Sequence, residues 1–471
     1  MKVILGLLTT VVVTFNVTAA SLTFTKVADT GTTIPGGTGN FTAFGNATAV
    51  HDGHVVFQAR GDNSQSGIYH WANSTLSKVA DKNDSVPNGT GTFSFLSFFA
   101  FSVLDGRVLF QGAGTGGENG LYAWNGGTLT KLVDHTDAIP AGFGNYTSFR
   151  LPFQAGDSVA FIGYGPNSHV GAYVLSNSVI TTIADSTTSF PGGTGTFGFS
   201  SEVPIEGDTV AFWAFESSDS SRNGIFVQHN GTLTKIAQTG DTAFGTGQTF
   251  SNLQSPPVPT GGKIVFQGRL ADSTLATFRS NLDGTGMEKL LDVNVAIPSG
   301  IGNFSSFGGF VAEGSKLVFV GNGSGSPGTG IYEQENGTST KVIDLTDMLD
   351  GQSFLASSQS LKITSRSLQA GDLAFIAAFD GGAAGIYTTA IGGGGQMASP
   401  TFSASSATFS PTSGFSVQFT GEVGQAYQIQ YTGALGNAWQ TLIDFTYSAP
   451  MTVTDATAAS EAARLYRVVT Q

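Results

Sequence analysis

One carboxylate recurs down the chain, at the end of a short run of the form T-K-V-A-D. Asp29, Asp81, Asp134, Asp185, Asp292 and Asp344 hold this place, and Gln238 holds it once. A second acid follows three residues on at Asp84, Asp137 and Asp347, and Asp241 stands in that relation to Gln238. Carboxylates gathered on one face could bind Ca²⁺, or ligands that carry amines or sugar hydroxyls. An aspartate at a strand end also accepts hydrogen bonds from backbone N–H groups two residues on, which fixes the turn that follows. Repetition in nearly every copy favours the turn, because a binding site usually breaks symmetry. The candidates for ligand or cation binding are therefore Asp29, Asp81, Asp84, Asp134, Asp137, Asp185, Asp292 and Asp344. Ca²⁺ is the one cofactor they could take, and no metal site is assigned.

Other chemistry is thin. The stretch 27–45, "VADTGTTIPGGTGNFTAFG", contains G-G-T-G-N, which approaches the Gly-Gly-x-Gly-x-Asp calcium nonapeptide. Those sites need consecutive nine-residue copies, whereas these glycines recur once per long repeat and Asn40 stands where Asp is wanted. Two G-x-G-x-x-G matches, Gly112-Gly114-Gly117 and Gly193-Gly195-Gly198, open no helix and so lack the βαβ setting of a dinucleotide site. His51, His54, His70, His135, His169 and His229 fall at different repeat phases, which gives no metal or catalytic cluster. No G-x-S-x-G nucleophile, Walker sequence, sialidase-type box or D-x-D-x-D-G calcium loop is present. No catalytic residue is assigned.

The elements that would position these residues follow from an internal period. A Phe in runs such as V-V-F-Q-A recurs at Phe57, Phe110, Phe161, Phe212, Phe266, Phe319 and Phe375. A second anchor, the start of G-I-Y, falls at Gly67, Gly120, Gly171, Gly224, Thr277, Gly330 and Gly385. Both give seven units of about 53 residues. Each unit reads as four short strands, with Asp-Gly turns after the first and Asn-Gly turns after the third. Four antiparallel strands per unit of this length describe a β-propeller blade. Phe41, Phe93, Tyr146, Phe197, Phe250, Phe304 and Phe354 follow the glycines at one phase; they could stack sugars, but recurrence in all seven units favours packing between blades.

The ends suit a closed ring. Residues 22–29, "LTFTKVAD", match a fourth strand without its first three, and 385–391, "GIYTTAI", supply a third strand without its fourth. The expected fold is all-β: a seven-bladed β-propeller over 21–391, closed by its N-terminal strand. A Gly-rich linker (392–400) and a small β-sandwich tail (401–471) follow, with Trp439 and Tyr466 as core candidates. The segment "ATAASEAARLY" (456–466) is the best short helix candidate.

Residues 1–20 read as a signal peptide: Lys2, an apolar run from Val3 to Val13, and small residues before Ser21. That run is about half the ~20 residues a membrane span needs, so no membrane insertion is expected once the leader is removed. Export to the cell surface or the medium is expected, and without cysteine the fold must be held by its own core. A net charge of −13 argues against a nucleic-acid partner, which needs clustered Lys and Arg.

With these residues in hand, the chain resembles uncharacterised secreted bacterial repeat proteins built on G-I-Y-x-W…L-T-K-V-A-D…I-P-G-G-T-G-x-F. The fifth unit, "FRSNLDGTGMEKLLD", looks more like a TolB-type propeller hairpin. The tail, with "YQIQYTGALGNAWQTL" and "ARLYRVV", is similar to short fibronectin-like modules and to β-sandwich sorting tails. The resemblance implies a propeller scaffold and export, and implies no catalytic residues. The leading expectation is a monomeric, non-enzymatic propeller that binds a glycan or a surface or matrix protein. A polysaccharide hydrolase or lyase using loop carboxylates such as Asp84 or Asp137 ranks second, and a purely structural envelope or matrix protein third.

Overall fold

Alternating apolar residues and tight turns fold each repeat into an antiparallel four-stranded sheet. In the first full copy the strands are Phe41–His51, His54–Gly61, Ser66–Ala72 and Thr75–Asp81, paired in that order. Their turns take positive φ at Asp52 and Gly53, and at Asn73 and Ser74, as two-residue hairpins with the natural strand twist require. This is a computed structural model describing residues 22–199, 202–323 and 325–391 and, in the C-terminal part, 401–402, 408–410, 412, 414–420, 426–432, 440–446, 451–460 and 465–470. The expected leader (1–20), the linker (392–400) and Trp439 lie outside the described residues.

Equivalent sheets span 93–134, 148–185, 197–238, 248–292 and 304–344. The seventh draws Asp372–Ala378 and Ala384–Ala390 from the end of the array and Thr25–Asp29 from its start. Thr25 faces Thr388 and Asp29 faces Gly385, so the N-terminal strand closes a ring of seven blades. Blades are numbered 1 to 7 from the sheet that starts at Phe41. Thr23–Gly392 form one compact unit, and Gly393–Gln471 belong to another.

The core lies between blades. Ala49, Val56, Ile68 and Val79 of blade 1 pack with Phe93, Phe110 and Tyr122 of blade 2. Across the closure, Val27, Ala28 and Ile386 pack with Phe41, Phe57 and Tyr69. Phe41 meets Tyr69 edge-on at 4.8 Å, and Phe93 meets Tyr122 edge-on at 5.2 Å, so the recurring aromatic is a packing residue. A glycine near the start of the third strand faces the recurring acid in five blades, as Gly120 faces Asp134, and faces Gln238 in blade 4. In blade 5 the residue facing Asp292 is Ala276, not Thr277. The second sequence anchor is therefore one residue late in that unit, where the G-I-Y pattern has drifted to L-A-T-F.

The C-terminal unit has two sheets. One sets Gly414–Thr420 against Thr401–Phe402, Thr408–Ser410 and Met451–Asp455; the other sets Ala426–Thr432 against Gln440–Thr446 and Leu465–Thr470. Tyr466 stacks on Phe415 at 4.7 Å and donates its hydroxyl to Asp455. Within the short helix candidate, Ala456–Ser460 forms a 3-10 turn, and Leu465 and Tyr466 belong to the last strand, Leu465–Thr470.

Candidate functional site

Every recurring acid stands at the outer rim, where the outermost strand turns toward the next blade. Asp134 accepts the Thr136 N–H at 2.8 Å and the Thr136 hydroxyl at 2.6 Å, and Lys131 lies 3.2 Å from its other oxygen. Asp137 accepts the Asp134 N–H at 2.8 Å and pairs with the same lysine at 3.3 Å. The arrangement repeats at Lys78–Asp81–Asp84 and at Lys341–Asp344–Asp347. At Asp29 the i+3 place is taken by Thr32, and at Asp185 by Thr188. Asp292 pairs with Lys289 and accepts the Asn294 N–H at 2.8 Å. Burial alone would raise the Asp134 pKa, but Thr136 and Lys131 outweigh it and hold the carboxyl below its ordinary value. The structure brings acids together in pairs at three crossings, Asp81 with Asp84, Asp134 with Asp137 and Asp344 with Asp347, and leaves the acids of different blades on separate outermost strands. Among the described residues no group of three or more His, Asp and Glu is placed to hold a metal ion.

The loop of pattern G-T-G, Asn88-Gly89-Thr90-Gly91 in blade 2 and Gly192-Gly193-Thr194-Gly195 in blade 4, does bind a carboxylate, and it is the chain's own glutamate. Glu118 accepts the Thr90 N–H at 2.6 Å, and Glu216 accepts the N–H groups of Thr194 at 2.7 Å and Gly195 at 2.6 Å. Ser218 and Arg222 complete the set around Glu216 at 2.9 and 3.1 Å. The Thr90 N–H chiefly holds the Glu118 carboxyl below its usual range, and the Gly195 N–H does the same for Glu216. A Cβ on Gly89 or on Gly193 would stand 2.5 Å from the bound carboxylate, so glycine is required there. In blade 1 the same seam is closed by Asp62, on the Asn40 N–H, and by Gln65, on the Thr38 N–H. These partners escape a reading from sequence, because they sit at the end of the second strand or in the loop of unequal length that follows it.

The histidines do not gather into one centre, yet two of them meet. His54 Nδ1 and His70 Nε2 are 2.8 Å apart with their rings stacked, and His70 also lies against Trp124 of blade 2. Burial, with a smaller effect from His54, lowers the His70 pKa to about 4. His51 contacts the Asp105 turn, His169 contacts Tyr173 and Ser186, and His229 contacts Thr209. Buried His135 Nδ1 has no partner among the described residues.

Symmetry breaks at the axis. Side chains of a strand alternate between the two faces of its sheet, so an intact innermost strand aims them at neighbouring blades and not across the ring. Blades 4 and 7 have interrupted innermost strands: Phe197–Gly198 then Ile205–Glu206, and Leu361–Lys362 then Leu368–Gln369. The two gaps release Glu202 and Arg366, which meet at 3.6 Å. The Arg366 guanidinium lies 3.7 Å over the Phe153 ring of blade 3 and donates to Pro152 O at 3.3 Å. Burial pulls the Arg366 pKa below its ordinary value against the opposing pull of Glu202. Arg366 lines a central channel of about 240 Å³ to which all seven innermost segments contribute.

A second, larger hollow of about 590 Å³ lies where the innermost segments of blades 6, 7 and 1 begin. Asn46, Ser306, Asn322, Gln359 and Lys362 supply its polar groups, and Phe307 and Ile363 its apolar surface. Lys362 Nζ donates to Asn46 Oδ1 at 2.9 Å, joining the last blade to the first. No feature of the acid pattern points to this cleft; it arises from the break in blade 7 and from the glycine pair Gly308-Gly309, which lets Ile363 O approach.

A closed ring of seven four-stranded blades defines a β-propeller. The chain belongs to a family of unknown function, DUF7453, which matches residues 51–344 and 206–435. No curated protein matches it. Among solved structures it is similar to the β-propeller domain of the Trilobed protease from Pyrococcus furiosus, at 9% identity and a TM-score of 0.45, over 74% of this chain and 96% of that one. It is similar also to a putative TolB from Agrobacterium tumefaciens, at 16% identity and a TM-score of 0.32, over 56% and 83%. An uncharacterized protein from Listeria monocytogenes EGD-e gives 10% identity and a TM-score of 0.39, over 67% and 86%.

Proposed function

We propose that this chain is an exported, monomeric, non-enzymatic propeller that binds a glycan at the cleft between blades 6, 7 and 1. The observation that carries the reading is the cleft's wall: carboxamides of Asn46, Asn322 and Gln359, the Ser306 hydroxyl, the Lys362 ammonium and the Phe307 ring around about 590 Å³. Pockets of this size with a few convergent polar groups are the ordinary form of a small-ligand site. Planar amides pair with sugar hydroxyls, and an aromatic face covers the apolar side of a sugar ring. The acids that a hydrolase or lyase would use, Asp84 and Asp137, are occupied by backbone N–H groups and lysines, which favours binding over turnover. Export rests on the pattern of residues 1–20.

A glycan array with the purified chain tests this, with and without Ca²⁺. Saturable binding without released oligosaccharides is expected, weakened at least tenfold by Gln359→Ala or Lys362→Ala and unchanged by Asp137→Asn. Released oligosaccharides, lost in Asp84→Asn or Asp137→Asn, would overturn it for the hydrolase or lyase. Ca²⁺-dependent binding lost in Asp81→Ala or Asp134→Ala would move the site to the acid ring. No binding to any glycan would leave the structural role.

A further inference from the structure

The cleft between blades 6, 7 and 1 has a hydrogen-bond polarity that its residue types alone do not reveal. Lys362 Nζ donates to Asn46 Oδ1 at 2.9 Å. An ammonium has no acceptor, so Asn46 must turn its carbonyl oxygen to the lysine and keep its amide N–H groups for another partner. Asn322 is oriented as well: its Oδ1 accepts the Thr329 hydroxyl at 2.9 Å, and its Nδ2 donates to Ser306 Oγ at 3.3 Å. Ser306 accepts that bond and keeps its own O–H to donate. Asn46 and Ser306 are exposed, Lys362 and Asn322 are half-buried, and all four line the hollow.

Every group fixed in this way has a donor to offer. No Asp or Glu lines the cleft. Lys78, Lys131 and Lys341 are each held by two aspartates, whereas Lys362 has no carboxylate within ion-pair reach among the described residues. In a chain of net charge −13 this is a local reversal of sign. A neutral sugar hydroxyl set against these groups would bring a donor of its own with no fixed acceptor to take it. A carboxylate brings acceptors alone, and a charge opposite to the lysine's. Gln359 and Ser358 line the same hollow and can give or accept, so they suit hydroxyls.

We propose that the cleft selects an acidic glycan, with the carboxylate of a uronate residue seated between Lys362 Nζ and the Asn46 amide and the sugar hydroxyls at Gln359 and Ser358. The inference rests on the glycan reading of this cleft and narrows it. Isothermal titration of the full chain with galacturonate, mannuronate and glucuronate oligosaccharides tests it, each beside its neutral, carboxyl-reduced counterpart, with dextran sulfate as a second anion. At least one uronate is expected to bind once per chain, about tenfold or more tighter than its reduced counterpart. Lys362→Gln should weaken the uronate about tenfold and bring the pair close to equal affinity. Lys82→Gln removes an equal charge from an exposed site on the crossing from blade 1 to blade 2 and should change neither. Asn46→Asp sets a carboxylate of the same shape against Lys362, in the place meant for the ligand's, so the uronate preference should vanish without loss of melting temperature. Reduced counterparts that bind as tightly as the uronates, both lost in Gln359→Ala, would overturn the acid preference and leave the glycan reading standing. A uronate preference that survives Lys362→Gln or Asn46→Asp, or falls as much in Lys82→Gln, would also overturn it, as would binding of dextran sulfate and of no uronate. No saturable binding by either member of any pair would overturn the inference and the glycan reading together. The Asn46→Asp result decides alone if Lys362→Gln fails to fold.

Discussion

Ring closure by the N-terminal strand can be tested covalently, because the chain has no cysteine of its own. Thr25 and Thr388 are direct cross-strand partners, and such pairs have Cα atoms about 4.5–5.5 Å apart, within the ~4.4–6.8 Å span of a disulfide. The double variant Thr25→Cys, Thr388→Cys should therefore oxidise without a backbone shift. Thr25 is exposed and Thr388 half-buried, and the main loss is the Thr388 hydroxyl's bond to Leu373 O, so the reduced form should lie within about 1 kcal/mol of the parent. The closed loop runs over 388 − 25 = 363 residues. Chain entropy then sets an upper bound of about 6 kcal/mol on the stabilisation. Engineered bridges usually deliver less, and about 3 kcal/mol is expected. For a ring of this size that corresponds to a melting temperature about 4 °C higher, with ~8 °C as the bound. Differential scanning calorimetry of oxidised and reduced samples, with free thiols titrated in parallel, reads the result. Thiols that stay reactive in the native chain, or an oxidised form that melts with the reduced one, would refute the closure.

Three further outcomes follow from local geometry. Asp29, Asp134 and Asp185 have folded pKa values below the ordinary one after burial is outweighed by their hydrogen bonds; their stabilisation is complete above about pH 3.9 and lost as pH falls through the folded values. Urea midpoints should therefore fall steeply below pH 4, less steeply in Asp134→Asn. His70 works in a higher window: its pKa falls from about 6.5 unfolded to about 4 folded, so the unfolded chain binds the extra proton between them. Stability should drop by about 1–2 kcal/mol between pH 7 and 5, and His70→Phe should remove that slope. Gly120→Ala would put a Cβ 2.6 Å from Val133 O and 2.9 Å from Asp134 Cβ, a clash worth about 1–3 kcal/mol. Gly53→Ala meets no atom within 4 Å but sits at φ +73° and should cost only about 1 kcal/mol; equal losses in the two variants would contradict the assigned strand register.

The ring was legible because its code is local. Strand alternation and positive-φ turns sit within ten residues of each other in every unit, and the partial units at the two ends reveal the closure. The turn role of the acids was legible from repetition, since Asp134 and Asp344 make the same bonds in different blades. What stayed hidden depends on partners that the repeat does not encode. Glu118 reaches back 28 residues to Thr90, through a loop whose length varies from blade to blade. His54 and His70 meet only because the second and third strands of blade 1 pair in the register that sets Val56 opposite His70. The drift to Ala276 in blade 5 could not be read, because without glycine the third strand offers no mark of the residue that faces the acid.

The cavities near the axis were hidden for a different reason, and it bears on how such a ring acquires function. A repeat that closes on itself gives most side chains of an intact innermost strand a neighbouring blade to pack on, so a faithful copy leaves little to recognise a ligand. A copy that interrupts its innermost strand is free to turn a charged side chain inward, as blades 4 and 7 do with Glu202 and Arg366. In a ring of seven, blades 4 and 7 stand three positions apart one way and four the other, as far across as two blades can be. Breaking both innermost strands lets one contribute Arg366 and the other Glu202, so the two opposite charges enter the channel as a pair and neither is buried alone. The sequence sign is loss of pattern, "FGFSSEVPIEGD" (197–208) and "LKITSRSLQAGD" (361–372) against the regular "FTAFGNATAVHDG" (41–53). In a chain where repetition explains the acids, the aromatics and the glycines, those two departures are where ligand chemistry has room to exist.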